Sequence, residues 1–217
     1  MRVAPMGLTD SLPDIETLDR EGAQIAAITH GHSLGYLPAA VLTHIVHRLV
    51  FAEGGEMILR EIVTEAVDTS EKVFAGDKHL EAHSALIRLT MELSENGEED
   101  LANIHRLGEG WVADEALAIA LYCALRYQDD FSAGLIASVN HHGDSDSTGA
   151  IAGNILGALH GYEAMEEKWK TSLELLDEIL EISDDLFRVC RVHESRPFRD
   201  PDWIGKYVSR IRPAESI

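Results

Sequence analysis

Apolar residues recur three and four positions apart along most of the chain, and nowhere do they alternate at period two over a useful length. That periodicity predicts helices and no sheet. The first helix spans Asp10 to Ile28, with Ile15, Leu18, Ile25 and Ile28 on its apolar face. Pro38 suits a first helical turn, so the next helix is read from Ala39 to Phe51, with Leu42, Ile45, Val46 and Leu49 inward. Gly54-Gly55 breaks it, and Met57 to Val73 follows with Ile58, Ile62, Val63, Ala66 and Val67. After Gly76-Asp77 come Leu80 to Leu93, with Leu86 and Ile87 inward, an acidic loop from Ser94 to Asp100, and a short helix over Leu101–Leu107. Ala113 to Tyr127 is apolar nearly all round, which predicts a buried central helix. Phe131 to Asn140 is a small-residue helix; an amphipathic helix near Ser172–Val192 and a last piece over Trp203–Ile211 close the chain. The fold class is all-α, read as one domain over residues 1–217 with C-terminal helices and a tail from 171 onward.

One stretch departs from this pattern: His141-His142-Gly143-Asp144-Ser145-Asp146-Ser147-Thr148 is a polar loop running directly into a helix. Asp144 and Asp146 at i and i+2 direct their oxygens toward one point, and Ser147 and Thr148 add hydroxyls. Such hard ligands suit Mg²⁺, Mn²⁺ or Ca²⁺ rather than Zn²⁺. An EF-hand is excluded, because its twelfth position, a bidentate Glu, is Ile155 here. The plain alternative is that both aspartates only cap the helix. Gly149, Gly153, Gly157 and Gly161 form one row along that helix, which suits close packing.

Composition narrows the function. The 217 residues carry a formal net charge of −20, which argues against nucleic acid or an anionic membrane as partner. Cys123 and Cys190 both sit in apolar helical patterns and read as reduced core residues. No signal peptide is visible, and the segments around Ala116–Leu125 and Gly149–Leu159 are too short to span a bilayer, so the cytoplasm is the expected compartment. Met1 to Leu8 reads like an interior loop rather than a leader.

The run GDSDSTGAIAGNILGALHG resembles the C-terminal metal motif of the ADP-ribosylglycohydrolase family. Three further segments resemble that family in the same order: MRVAPMGL at the start, Thr29-His30-Gly31-His32-Ser33-Leu34-Gly35-Tyr36, and Gly108-Glu109-Gly110-Trp111 entering the Ala113 helix. The resemblance covers residues 1 to about 170. It implies an all-α hydrolase that cleaves ADP-ribose from a modified protein or a small conjugate, using two Mg²⁺ or Mn²⁺ ions. It makes Asp144 and Asp146 metal ligands and catalytic groups. The family's next position is usually Thr; here it is Ser147, and Thr148 is an equal candidate for the ligand. His30 falls on the substrate-pocket histidine, within a segment whose Ser33, Gly35 and Tyr36 are also substrate-binding candidates, while Gly108, Gly110 and Trp111 fall on the adenosine side. The bland readings stand beside these: His30 and His32 as helix-flanking polar residues, His44 and His47 as helix-interface residues, His141 and His142 as supports of the acid loop, and Trp111 as a core aromatic.

The family's other motifs, T-D-D, an early G-D-x-x-G and a Gly-Ser-Gly phosphate loop, are not in this sequence. Thr9-Asp10 has one acid, and Ser183-Asp184-Asp185 lies within an amphipathic helix as a surface segment. The expectations are therefore a chain that needs a missing N-terminal half for activity, an inactive ADP-ribose-binding or structural protein, or a helical scaffold with capping aspartates. A further expectation is an exposed apolar face on Ala113–Tyr127, with self-association.

Overall fold

The helix apolar on every side is the one the others enclose. The structure, a computed structural model, describes residues 1–51, 58–187 and 204–208. A 3₁₀ turn at Ala4–Leu8 leads to α1 (Ile15–Ala27), α2 (Ser33–Phe51), α3 (Leu59–Val73), α4 (Leu80–Glu95), α5 (Asp100–Leu107), α6 (Ala113–Arg126), α7 (Phe131–Val139), α8 (Ser145–His160), α9 (Glu167–Lys170) and α10 (Leu176–Phe187). No strand occurs among the described residues.

Every residue from Ala116 to Ala124 in α6 is buried. The expected exposed face on this helix does not exist. Its alanines at 116, 118, 120 and 124 let neighbours approach closely, and α2, α4, α7 and α8 pack around it. One apolar cluster joins Leu42 and Ile45 of α2, Ile62 and Val63 of α3, Leu117 and Leu121 of α6, and Ile155 and Leu156 of α8. A second gathers Leu93, Ile104, Leu107, Ile119 and Tyr122 on the side of α6 facing α4 and α5.

The starts of α1 and α2 differ most from the sequence reading. Asp14 caps α1 by accepting the Thr17 amide at 2.7 Å, so the helix begins at Ile15 rather than Asp10. Ser33 opens α2, leaving Pro38 inside the helix, where its ring removes one helical hydrogen bond to the Leu34 carbonyl. Of the described helices, α2 alone has the length and hydropathy of a membrane span, but ten of its residues are buried against neighbouring helices, as a core helix requires.

The glycine row on α8 serves packing. A methyl on Gly149 would lie 2.5 Å from Val139 of α7, and one on Gly157 would lie 3.0 Å from Met165. Gly161 ends the helix with φ of 75°, a conformation open to glycine. The amphipathic helix α10 begins at Leu176, after Leu175 with φ of 59°; residues 188–192 of its expected span lie outside the described residues, as does Cys190. Cys123 is a buried free thiol, as expected. Of the expected Trp203–Ile211 piece, Ile204–Val208 forms one π-helical turn, and its Lys206 pairs with Glu181 and Asp185 of α10.

Candidate active site

A cleft of about 740 Å³ opens where four separate segments meet at one end of α2, α6 and α8. Arg2 and Val3, the Thr29–His32 turn, Gly110–Ala113, and Asp144 with Ser147 form its walls. Ala39, Leu42, Ala116, Leu117 and Ile151 make an apolar floor.

Asp144 stands at the N-cap of α8. Its carboxylate accepts the Ser147 hydroxyl at 2.7 Å and the Ser147 amide at 3.5 Å. Hydrogen bonding to Asp146, and then to Ser147, holds the Asp144 carboxyl below the usual carboxylate range. Asp146 is exposed beside the cleft rather than among its lining, with its Oδ1 3.4 Å from the Ser147 hydroxyl. Ser147 therefore stands between the two acids.

Thr148 is turned the other way. It is fully buried, its Oγ1 donates to the Ser138 carbonyl at 2.6 Å, and His141 Nε2 lies 2.9 Å from the same oxygen. The Gly143 amide donates to His141 Nδ1 at 3.0 Å, which leaves Nε2–H to donate to Thr148. As a cleft ligand, Thr148 is thereby removed: its hydroxyl anchors α8 to α7. His141 supports the acid loop, and burial lowers its pKa.

On the opposite wall, the Arg2 guanidinium donates to Thr29 Oγ1, which lies 2.8 Å from His30 Nδ1. His30 and Gly35 line the cleft. Ser33 and Tyr36 do not: both hydroxyls donate to Asp77, Ser33 at 3.0 Å, on the far face of α2. His32 lines the cleft and packs against His79, with ring centroids 4.7 Å apart. His44 is a buried interface residue whose Nδ1 lies 3.0 Å from Asp19 Oδ2.

Gly110 and Trp111 line the cleft, whereas Gly108 lies behind it, pressed on the Glu115 carboxyl at φ of 125°. Trp111 is 67% exposed, so it is a rim aromatic and not a core one. Its indole N–H donates to Glu109 Oε2 at 3.1 Å. Sequence reasoning passed over Arg2, Thr29, Glu109 and Glu115. For Glu115 a signal existed: an acid at the third position of a helix reaches back to preceding amides.

The donors at the acid loop are hard oxygens, the kind that Mg²⁺ and Mn²⁺ prefer. Mg²⁺ is held by one or two carboxylates with water filling its shell, so Asp144, Asp146 and Ser147 suit one such ion in kind. Among the described residues no group of three or more His, Cys, Asp or Glu converges as a metal centre. The Ser183-Asp184-Asp185 segment lies on α10, and none of the three lines the cleft.

An acid loop at a helix N-terminus over an apolar-floored cleft is an arrangement able to hold a small polar ligand. The chain belongs to the ADP-ribosylglycohydrolase family, whose model matches residues 1–196. It is 29% identical over 209 residues to the ADP-ribosylhydrolase ARH3 of Bos taurus, covering 87% of this chain and 56% of the relative. It is 25% identical over 150 residues to the ADP-ribosyl-[dinitrogen reductase] glycohydrolase of Rhodospirillum rubrum, covering 69% of this chain and 41% of the relative. An uncharacterized protein of Escherichia coli, YegU, is 25% identical over 184 residues, with 82% and 54% covered. The chain thus spans about half the length of the curated relatives it matches.

Proposed function

We propose that this chain provides the ADP-ribose cleft and one acid loop of a metal-dependent hydrolase that cleaves the glycosidic bond between ADP-ribose and a protein or small acceptor. The observation that carries the reading is the convergence of Arg2, His30, Trp111, Asp144 and Ser147, from distant segments, on one cleft. In this reading Asp144, Asp146 and Ser147 hold Mg²⁺ or Mn²⁺. Such ions would supply Lewis-acid stabilisation of the charge that develops as the bond breaks. The remaining donors would come from an N-terminal half that carries the T-D-D type motif. Asp144, a carboxylate on the cleft wall, would accept a hydrogen bond from the attacking water and orient it. The apolar floor of Leu42, Leu117 and Ile151 limits bulk water, and His30 and Arg2 face the polar part of the ligand. The working compartment is the cytoplasm.

The test is release of ADP-ribose from serine- and arginine-linked ADP-ribosyl peptides with Mg²⁺, by this chain alone and with a segment bearing the T-D-D motif. Release in either arm that is lost in Asp144→Asn supports hydrolysis; no release in both arms ends it.

One observation favours a second reading, an ADP-ribose-binding protein without catalysis: the absence of a three-acid cluster among the described residues. Calorimetric titration of ADP-ribose separates the two. Heat without hydrolysis supports binding alone, and no heat with or without Mg²⁺ removes both readings.

A further inference from the structure

Glu109 touches both sides of the cleft. Its carbonyl accepts the Asp144 amide at 2.8 Å, and its carboxylate accepts the Trp111 indole N–H at 3.1 Å. The contact with the acid loop is close enough that a methyl on Gly143 would lie 1.7 Å from the Glu109 carbonyl oxygen. Nothing in Glu109 itself fixes its backbone. That is done from α6: Glu115, the third residue of the helix, turns its carboxylate back under the loop and accepts the amides of Glu109 at 3.0 Å and Gly110 at 3.1 Å. Gly108 allows the approach, because a side chain there would overlap the Glu115 carboxyl. A carboxylate accepting two amides makes charge-assisted bonds, stronger than the neutral pairs that hold most loops.

We propose that Glu115 is the positioning residue of this site, holding Glu109 so that Trp111 on the rim and Asp144 at the acid loop keep a fixed separation. Its consequence for ADP-ribose rests on the reading above; the mechanical linkage does not. Glu115 is not among the residues lining the cleft. It acts through two amides, one carbonyl and one indole N–H. Loss of its carboxylate frees Glu109, and through Glu109 both Trp111 and the Asp144 amide.

Amide exchange followed by NMR on the ligand-free full chain tests this. In Glu115→Ala, exchange should quicken about tenfold at Glu109, Gly110 and Asp144, while amides in the middle of α6, such as Leu121, stay as in the wild type. Trp111 fluorescence should become more quenchable by acrylamide in the same variant. Glu115→Gln keeps a carbonyl acceptor and should restore most of the protection at all three amides. A rise at Glu109 and Gly110 with Asp144 unchanged overturns the linkage, as does an equal rise across α6. Should Glu115→Ala fail to fold, Glu115→Gln decides: a smaller rise shared by the three amides supports the proposal, and one confined to Glu109 and Gly110 overturns it. Because no substrate is present, this outcome is independent of whether the chain hydrolyses ADP-ribose.

Discussion

Acid should unfold this protein in a window set by His83. The residue lies on α4, is 1% exposed, and neither ring nitrogen has a hydrogen-bond partner among the described residues. Burial pushes its pKa down from 6.5 to about 4, because the apolar surroundings penalise the imidazolium. The unfolded chain therefore takes up a proton between pH 6.5 and 4 that the folded chain refuses. Stability from this group is complete above pH 6.5, falls as pH drops through the window, and is gone near pH 4. A shift of about 2.5 pH units at about 1.36 kcal/mol per unit corresponds to roughly 3 kcal/mol. Urea unfolding from pH 7.5 to 4 on the wild type and on His83→Leu isolates the group, since carboxylates contribute equally to both proteins. The wild type should lose roughly 3 kcal/mol more than the variant across the window. At pH 7.5 the variant should be the more stable by about 1–3 kcal/mol, having no unpaired nitrogens to bury. Stability curves that stay parallel down to pH 4 would refute the reasoning, showing that His83 has a partner or an open path to water.

The other perturbations concern the acid loop. Thr148→Val keeps the shape but leaves the Ser138 carbonyl without its hydroxyl donor, and should lower stability by about 1–3 kcal/mol in thermal unfolding. Gly143→Ala places a methyl against the Glu109 carbonyl and should displace the acid loop, read as a changed Asp144 amide shift in NMR spectra even if the melting point holds. Asp144→Ala should cost about 1 kcal/mol as a lost cap, and should also abolish any rise of the melting point on adding Mg²⁺. A Mg²⁺ response that survives in the variant places the ion elsewhere.

Helix type and order were legible because packing follows the apolar period, and α6 was read as buried and central from its unbroken apolar run. Its predicted exposure was wrong because α2 and α4, earlier in the chain, and α7 and α8, which follow it, together cover it, an arrangement no single window of sequence contains. Within the site, motif letters were legible but their facing was not. On α2, Leu34, Pro38 and Leu42 share one stripe at a spacing of four and line the cleft. Ser33 and Tyr36, three apart, share another stripe and meet Asp77. Gly108 could not be told from a ligand-facing residue by spacing, since its role is to lie behind the loop that carries Trp111.

The same helical geometry bears on the two hydroxyls after Asp146. Consecutive residues on a helix point about 100° apart, so Ser147 and Thr148 cannot both face the cleft. Ile151, four residues after Ser147, lines the floor, and Ser147 stands above it. Thr148 consequently points into the body of the protein, where its hydroxyl is spent on Ser138. Capping and ligation are then compatible roles for Asp144. The capping contact with the Ser147 amide is long, at 3.5 Å, while the hydroxyl of the same residue approaches to 2.7 Å. A carboxylate that served only as a cap would direct its best hydrogen bond to the helix amide. Here the stronger bond goes to a side chain on the cleft wall, and the backbone of the acid is held from both sides, its amide by the Glu109 carbonyl and its carbonyl by Thr148 of the helix it begins.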